Sequence, residues 1–295
     1  MINVLRLVAL VALGLLSSCD LNNRFPTHGH LYFAAGSYVG QFDLSDGSSS
    51  PVSHLGDVTI DHLTTFEGGD LLLTMRVFVN QREASQIIRF KPRQEESLSL
   101  FPGRMAEFLS DPRVVIYDNG LKLFATHRRM GYSDEIVIEN HGYGLVPAVV
   151  VISASEILFD RIIDGDVVIH RYDGNENESH ALHRLSATCD LEGAVWLADS
   201  KQLFCRKLGA SPPGSEHQLV SLNGAVDRHL NLPADRNLRA LVHMPDQQMV
   251  VLSERSSNWG GGQPTNLVWI YELDTDESYV ISKNQYLGDS VVYTP

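Results

Sequence analysis

Residues 114–128 read Val114-Val115-Ile116-Tyr117-Asp118-Asn119-Gly120-Leu121-Lys122-Leu123-Phe124-Ala125-Thr126-His127-Arg128. This is an apolar run, an Asn-Gly step, a second apolar run and a polar exit. A type I′ turn needs positive φ at both central residues, which Asn-Gly supplies, so the stretch predicts a tight β-hairpin. The unit returns at Ile60–Arg76, Ile162–Arg171, Ala194–Arg206 and Leu241–Arg255. From Gly69 to Gly120 is 51 residues, and the next steps, to Gly165, Lys201 and Gln248, are 45, 36 and 47. A hairpin recurring at such intervals is the sequence mark of a β-propeller built from four-stranded blades.

The intervals hold two more strands each: Ser85–Phe90 with Ser97–Phe101, Glu135–Ile138 with Ala148–Ile152, Gln218–Leu222 with Val226–Leu230, and Leu267–Leu273 with Tyr279–Ile281. Near the start, Leu31–Ala35, Tyr38–Leu44 and Pro51–Leu55 look like second, third and fourth strands that lack a first. Ser290–Tyr293 at the other end is a strand with no successor. Pairing the two ends closes the ring and leaves no large free sheet edge. The expectation is an all-β chain: a single β-propeller over residues 30–295, with six blades of four antiparallel strands. Seven blades is the alternative, should Ile152 to Cys189 hold one more.

The repeat resembles that of TolB-like propellers, which runs Pro-Asp-Gly-Lys, an apolar strand, Ser-x-Arg, then an Ile-Tyr strand ending in Asp. Pro245-Asp246-Gln247-Gln248, Asp199-Ser200-Lys201-Gln202-Leu203, Ser253-Glu254-Arg255 and Trp269-Ile270-Tyr271-Glu272-Leu273-Asp274 carry the likeness. Most copies lack the proline and several lack the glycine. The resemblance implies the fold, and the short segment before residue 30 leaves no room for a separate TolB-type N-terminal domain.

That segment has its own signals. Met1 to Arg6 carries one positive charge, and Leu7 to Leu16 is apolar but shorter than the ~20 residues a membrane span takes, which fits the leader of an exported protein. Leu16-Ser17-Ser18-Cys19 resembles the lipobox of bacterial lipoproteins. The alternative is an ordinary secretory leader with an incidental cysteine. By the resemblance, residues 1–18 are removed and Cys19 carries the lipid, its palmitate-type acyl chains giving a stable anchor where one chain would be marginal. Residues 19–29 become a polar tether. Asp20 resembles the enteric signal that retains a lipoprotein at the inner membrane, so the expected location is the periplasmic side of a bacterial membrane.

Three cysteines minus Cys19 leave Cys189 and Cys205, which suggests a disulfide in an oxidising space; two buried free thiols are the alternative. A formal charge of −13 argues against nucleic acid as a partner, since a phosphate backbone must be met by a basic face. With 43% hydrophobic and 20% charged residues, a packed core is expected.

Arg76, Arg128, Arg171, Arg206 and Arg255 stand at or just before the polar exit of the five hairpins, followed by Arg82, Arg129 and Lys207. If each hairpin is the first pair of its blade, these residues share a rim, where arginine forks suit carboxylate or phosphate. The alternative is that they pair within the fold with Asp and Glu. Trp259, beside Gly260-Gly261-Gly262, and Tyr132, in the matching loop of another blade, are candidate aromatic platforms for a sugar or peptide; Trp259 could instead tuck over its blade. The 12 histidines show no zinc spacing, and the Asp-rich steps at Asp43–Gly47 and Asp274–Glu277 read as turns. No metal or cofactor is implied. Gly-x-Ser-x-Gly, His-Glu-x-x-His and Gly-x-x-x-x-Gly-Lys are absent, as is the sialidase Asp-box.

Three functions stay open: a non-catalytic, membrane-anchored periplasmic platform for an envelope protein or an anionic or glycan ligand, a hydrolase or lyase acting on a sugar or lactone at the axial pocket, and a structural scaffold of an envelope complex. Catalytic residues are not assignable from the sequence.

Overall fold

The computed structural model describes residues 28–79, 82–111, 114–118, 122–127, 135–139, 148–210, 216–233, 236–255, 266–283, 287 and 290–295. Three strands open the chain: β1 (His30–Ala35), β2 (Tyr38–Asp43) and β3 (Ser49–His54). Five sets of four follow: β4 (Thr59–Thr65), β5 (Leu71–Val79), β6 (Arg82–Lys91) and β7 (Glu96–Pro102); β8 (Arg104–Leu109), β9 (Val114–Asp118), β10 (Lys122–His127) and β11 (Glu135–Glu139); β12 (Val149–Val151), β13 (Glu156–Ile163), β14 (Asp166–Asp173) and β15 (Glu178–Ala181). A short helix, α1 (His183–Ser186), leads to β16 (Cys189–Leu197), β17 (Gln202–Lys207), β18 (His217–Ser221) and β19 (Val226–His229). Then come β20 (Leu238–Met244), β21 (Met249–Arg255), β22 (Asn266–Glu272) and β23 (Glu277–Lys283), and last β24 (Val291–Thr294).

Among the described residues the strands form six four-stranded sheets. Five hold consecutive strands. The sixth joins the chain's two ends in the order β24-β1-β2-β3, with Phe33 opposite Val291 and Tyr32 opposite Val292. The tail thus supplies the missing first strand to the beginning, and the fold is an all-β propeller of four-stranded blades.

Side chains close the same circle. The second strands are buried on both faces, so each reads as an apolar run and successive residues serve opposite neighbours. Leu71 and Leu73 pack with Val39 and Phe90, whereas Leu72 between them packs with Ile87, Val115 and Tyr117. Leu158 joins Leu203 and Val220 on one side, and Phe159 joins Leu109 and Ile116 on the other. Val250 meets Phe204 and Leu238, while Val251 meets Leu31 and Phe42. Six apolar clusters therefore lie between six sheets, the last against the first. Each fully buried side chain of this kind contributes roughly 1.5–3 kcal/mol. Within the closing sheet a side chain lies on bare backbone: Phe33 in β1 stands opposite Gly40 in β2, where a Cβ would come within 2.4 Å of the ring.

Two hairpins lie one strand later in their blades than the sequence reading places them. Asp164 (φ 53°) and Gly165 (φ 91°) form the expected turn with two positive φ angles, but it joins β13 to β14, the second and third strands of their sheet. Asn119 and Gly120 lie outside the described residues, between β9 and β10, which are likewise second and third. The true first strands, β8 and β12, precede them. Ala148–Ile152, read as a fourth strand, contains the first strand of the next sheet. A two-residue turn shows that two strands are antiparallel neighbours and carries no information about how far from the axis they stand.

The consequence is directional. Every first strand starts on the face that carries the second-to-third turns, here called the upper face, and the first-to-second and third-to-fourth turns lie on the lower face. Arg76, Arg206 and Arg255 end second strands and belong to the upper face. Arg171 lies near the end of a third strand and belongs to the lower one. Arg128 follows His127, the last residue of a third strand, and is itself outside the described residues. The five arginines do not share a rim.

Candidate functional site

The first strands of all six sheets converge on an axial cavity of about 780 Å³. Its wall reaches up to the ends of β5, β6, β13 and β14, so it opens on the upper face. The charged side chains that line it interrupt apolar strands: Asp61 and His62 between Ile60 and Leu63, Glu107 in β8, Asp160 and Arg161 after Phe159, and Glu192 at a bulge in β16. A polar residue at an inner position needs a partner or a task, and most of these have partners.

Glu107 is buried and accepts hydrogen bonds from the neighbouring blade, with His62 Nε2 at 2.8 Å and Thr64 Oγ1 at 2.8 Å. Arg76 Nε donates to both oxygens of Asp61, at 2.8 and 2.7 Å, and its guanidinium lies 4.0 Å from Glu83. Those carboxylates hold Arg76 above its ordinary pKa, Asp61 first. Arg104 donates to Asp118, which has 0% exposure, through Nε at 2.8 Å. Arg239 stands 3.7 Å from Glu192. Asp160 accepts a 2.7 Å bond from the Ala148 amide through Oδ1. Burial, aided by Asp190 and Glu192, nevertheless pushes its carboxyl up to about 6.

The sequence-derived candidates fare differently. Arg76 lines the cavity but is engaged by Asp61. Arg206 is bound to Asp190 at 2.6 Å and lies 3.8 Å from Glu192. Arg171 pairs with Glu156, and Lys207 with Glu216 at 2.7 Å. These four are neutralised within the fold. For Arg255 and Arg82 only the backbone is described, and Arg128, Arg129, Tyr132, Trp259 and Cys19 lie outside the described residues. Cys189 and Cys205 are joined as a disulfide between the adjacent strands β16 and β17, with Cα atoms 5.9 Å apart and both residues buried.

Sequence reasoning missed Asp61, Glu107, Asp160, Arg161 and Arg239. The available signal was a charged residue inside an apolar β run, as in Ile60-Asp61-His62-Leu63 and Phe159-Asp160-Arg161-Ile162. It also missed an apolar feature. Among the described residues, seven large apolar side chains are exposed: Tyr38, Phe78, Leu98, Ile162, Val167, Leu208 and Val226. Tyr38, Phe78, Ile162, Val167 and Leu208 all stand at second-to-third connections on the upper face, and Ile162 and Val167 also line the cavity. Phe78 is 71% exposed.

The first described residue, His28, lies on the lower face. His28 Nε2 lies 2.9 Å from Asp246 Oδ2, Tyr293 donates to the same carboxylate at 2.8 Å, and Gln247 donates to the His28 carbonyl at 3.0 Å. Among the described residues no helix is long and apolar enough to cross a membrane, and no three side chains gather as metal ligands.

No family model matches the chain, and no curated protein matches it by sequence. Solved structures do match in three dimensions. TolB from Acinetobacter baumannii aligns with a TM-score of 0.58 and 12% identity, over 91% of this chain and 67% of that one. A TolB-type protein from Agrobacterium tumefaciens aligns with a TM-score of 0.60 and 11% identity, over 91% and 99%. A puromycin-hydrolysing peptidase from Mycobacterium tuberculosis aligns with a TM-score of 0.55 and 10% identity, over 89% of this chain and 45% of that one. At such identities the likeness is one of architecture. The chain carries a TolB-like β-propeller fold.

Proposed function

We propose that this chain is a non-catalytic binding protein: a six-bladed propeller held at the periplasmic side of a bacterial membrane by lipid on Cys19, presenting its upper face to an envelope protein or to an anionic or glycan ligand. The observation that carries this reading is the placement of exposed apolar side chains. Five of the seven described lie on the upper face, two of them, Ile162 and Val167, at the cavity wall, whereas a scaffold gripping partners by its outer edges would expose them on fourth strands. Among the described side chains, only Leu98 and Val226 stand there. Exposed apolar surface gathered on one face marks interaction sites.

The anchor agrees with this orientation. Residues 19–27 lead to His28 on the lower face, so an anchored propeller turns its upper face away from the lipid. Nine residues reach at most about 30 Å, which keeps the lower face near the membrane. The rim of arginines plays no part in this reading, because Arg76, Arg171 and Arg206 are already paired.

The test is site-specific photo-crosslinking in cells. A crosslinker replacing Phe78 or Leu208 should capture one defined neighbour, while one replacing Leu98 should not. Capture from Leu98 alone would favour the scaffold. Cys19→Ala should release the protein from membranes, and a variant that still sediments with them contradicts the anchor.

One observation favours a second reading, a hydrolase or lyase. Asp160 lies at the cavity wall with a carboxyl pushed up to about 6, a value suited to general acid–base work near neutrality. Turnover of a sugar or lactone by the purified protein, abolished in Asp160→Asn, would establish it.

A further inference from the structure

Four arginines line the axial cavity: Arg76, Arg104, Arg161 and Arg239. Three are accounted for by Asp61, Asp118 and Glu192. Arg161 is different. Among the described residues its side chain has no ion-pair or hydrogen-bond partner, and its Nε is shut off from water with nothing to donate to. An orphaned donor of this kind is costly in a folded protein and calls for an explanation.

The surroundings do not supply one. Arg161 sits near the upper end of β13, opposite Val168 in β14. Side chains alternate along a strand, so Arg161 shares its face with Phe159, and Asp160 points the other way, towards Ala148 and the Asp190–Glu192 side. The titratable neighbour on Arg161's own side is His170, stacked on Phe159 with ring centroids 5.4 Å apart. Its pKa is lowered by burial first, then by Arg161 and His183. An imidazole, neutral or cationic, carries no negative charge and is no counter-ion for a guanidinium. Among the described residues the cavity therefore holds one cation without a counter-charge, Arg161. It stands just below the exposed lip formed by Ile162 and Val167, where a molecule entering from the upper face arrives.

We propose that Arg161 is the anion subsite of the axial cavity, a guanidinium fork left open for a carboxylate on the bound ligand. The inference rests on the reading of the upper face as a binding site and makes it specific. A planar fork with five donors accepts a carboxylate through two parallel hydrogen bonds, and a cavity of about 780 Å³ is the size that holds a small polar molecule. Asp160, also at the wall, can bond a hydroxyl or amine of the same ligand. The carboxylate could come from an acidic sugar or from the C-terminus of a peptide, and both sources present the same group to Arg161.

The experiment is calorimetric titration of the purified soluble chain with four probes: glucuronate, glucose, triglycine and triglycine amide. The expected result is that glucuronate binds and glucose does not, or that triglycine binds and its amide does not; which pair separates identifies the source. Arg161→Gln should weaken the binding probe about tenfold or more, the loss that goes with a charge-assisted hydrogen bond. Arg161→Lys, which keeps the charge and loses the fork, should fall between. Lys91→Gln removes one charge from the lower face and should bind as the parent does. Circular dichroism spectra matching the parent's show that each variant is folded. Equal binding by the parent and Arg161→Gln would overturn the subsite while leaving the cavity a ligand site. Failure of both carboxylate probes against the parent would also overturn it, and the crosslinks from Phe78 and Leu208 then report separately on the upper face.

Discussion

Asp160→Asn should make the protein more stable at neutral pH. The Asp160 carboxyl sits at about 6 instead of 3.8. Burial is the largest cause, opposed by the hydrogen bond from Ala148 and reinforced by Asp190 and Glu192. The folded state therefore holds this proton more tightly than the unfolded chain. By linkage the stabilisation is fully present below pH 3.8 and is lost as pH rises through 6. A shift from 3.8 to about 6, at 1.36 kcal/mol per unit, means that ionised Asp160 costs the native state about 3 kcal/mol at pH 7. Asparagine keeps the shape and the Oδ1 acceptor that the Ala148 amide reaches at 2.7 Å, and it never ionises. The expected gain is about 1–3 kcal/mol in urea unfolding at pH 7, since part of the desolvation cost stays with any polar group there. At pH 4 the parent carboxyl is already protonated in the folded state, and the two proteins should unfold together. A variant that is weaker at pH 7, or a difference of the same size at both pH values, would refute the argument. It would show that Asp160 has a counter-charge offsetting its burial. A stability cost retained at a cavity wall is what a binding or catalytic group carries.

Three further outcomes follow from the same structure. His217 is 2% exposed, and burial pushes it down to about 4 from 6.5, so stability present above pH 6.5 is lost as pH falls through 4, by about 3 kcal/mol; His217→Gln should flatten that loss in urea melts at pH 7 and 4.5. Arg104→Ala strips the cation from fully buried Asp118 and should cost about 3–5 kcal/mol at neutral pH, with Arg104→Lys recovering part of it in the same assay. Ending the chain before Val291 removes the first strand of the closing sheet and bares the inner edge of β1, and the truncated protein should elute as aggregate on size exclusion where the full chain elutes as a discrete species.

Asp160 and His217 also explain why wild-type acid stability alone is uninformative. Between pH 6 and 4 the two groups act in opposite directions with nearly equal size: Asp160 gains stability as it takes up its proton, and His217 loses it. The parent's curve should be shallow across this range. Asp160→Asn removes the gain and steepens the acid limb, and His217→Gln exposes the gain alone. Opposite slopes in the two single variants are a stronger check than either magnitude.

Ring closure was legible because its signal is local at both ends: three strands without a first, one strand without successors, and the pairing of Phe33 with Val291 that joins them. The position of a hairpin within its blade was not, because the turn residues that specify Asp164-Gly165 are identical whether the strands are first and second or second and third. That ambiguity displaced Arg171 to the lower face and dissolved the common rim. The cavity wall was hidden for another reason. Asp61, Glu107, Asp160 and Arg161 come from different blades and meet only because first strands converge on an axis, so no spacing along the chain connects them. What each does leave in the sequence is a break in an apolar run. Where inner strands are buried between blades, such a break has a partner in its own sheet, a partner across the blade boundary, or a group held for a ligand. Glu107 has His62 and Thr64; Arg161, among the described residues, has neither a carboxylate nor a carbonyl. A charge inside a strand is thus read by the partner it finds, in its own sheet or the next: Arg76, Arg171 and Arg206, three of the arginines that repeat along the chain, are paired with Asp61, Glu156 and Asp190, whereas Arg161, which does not repeat, is left open.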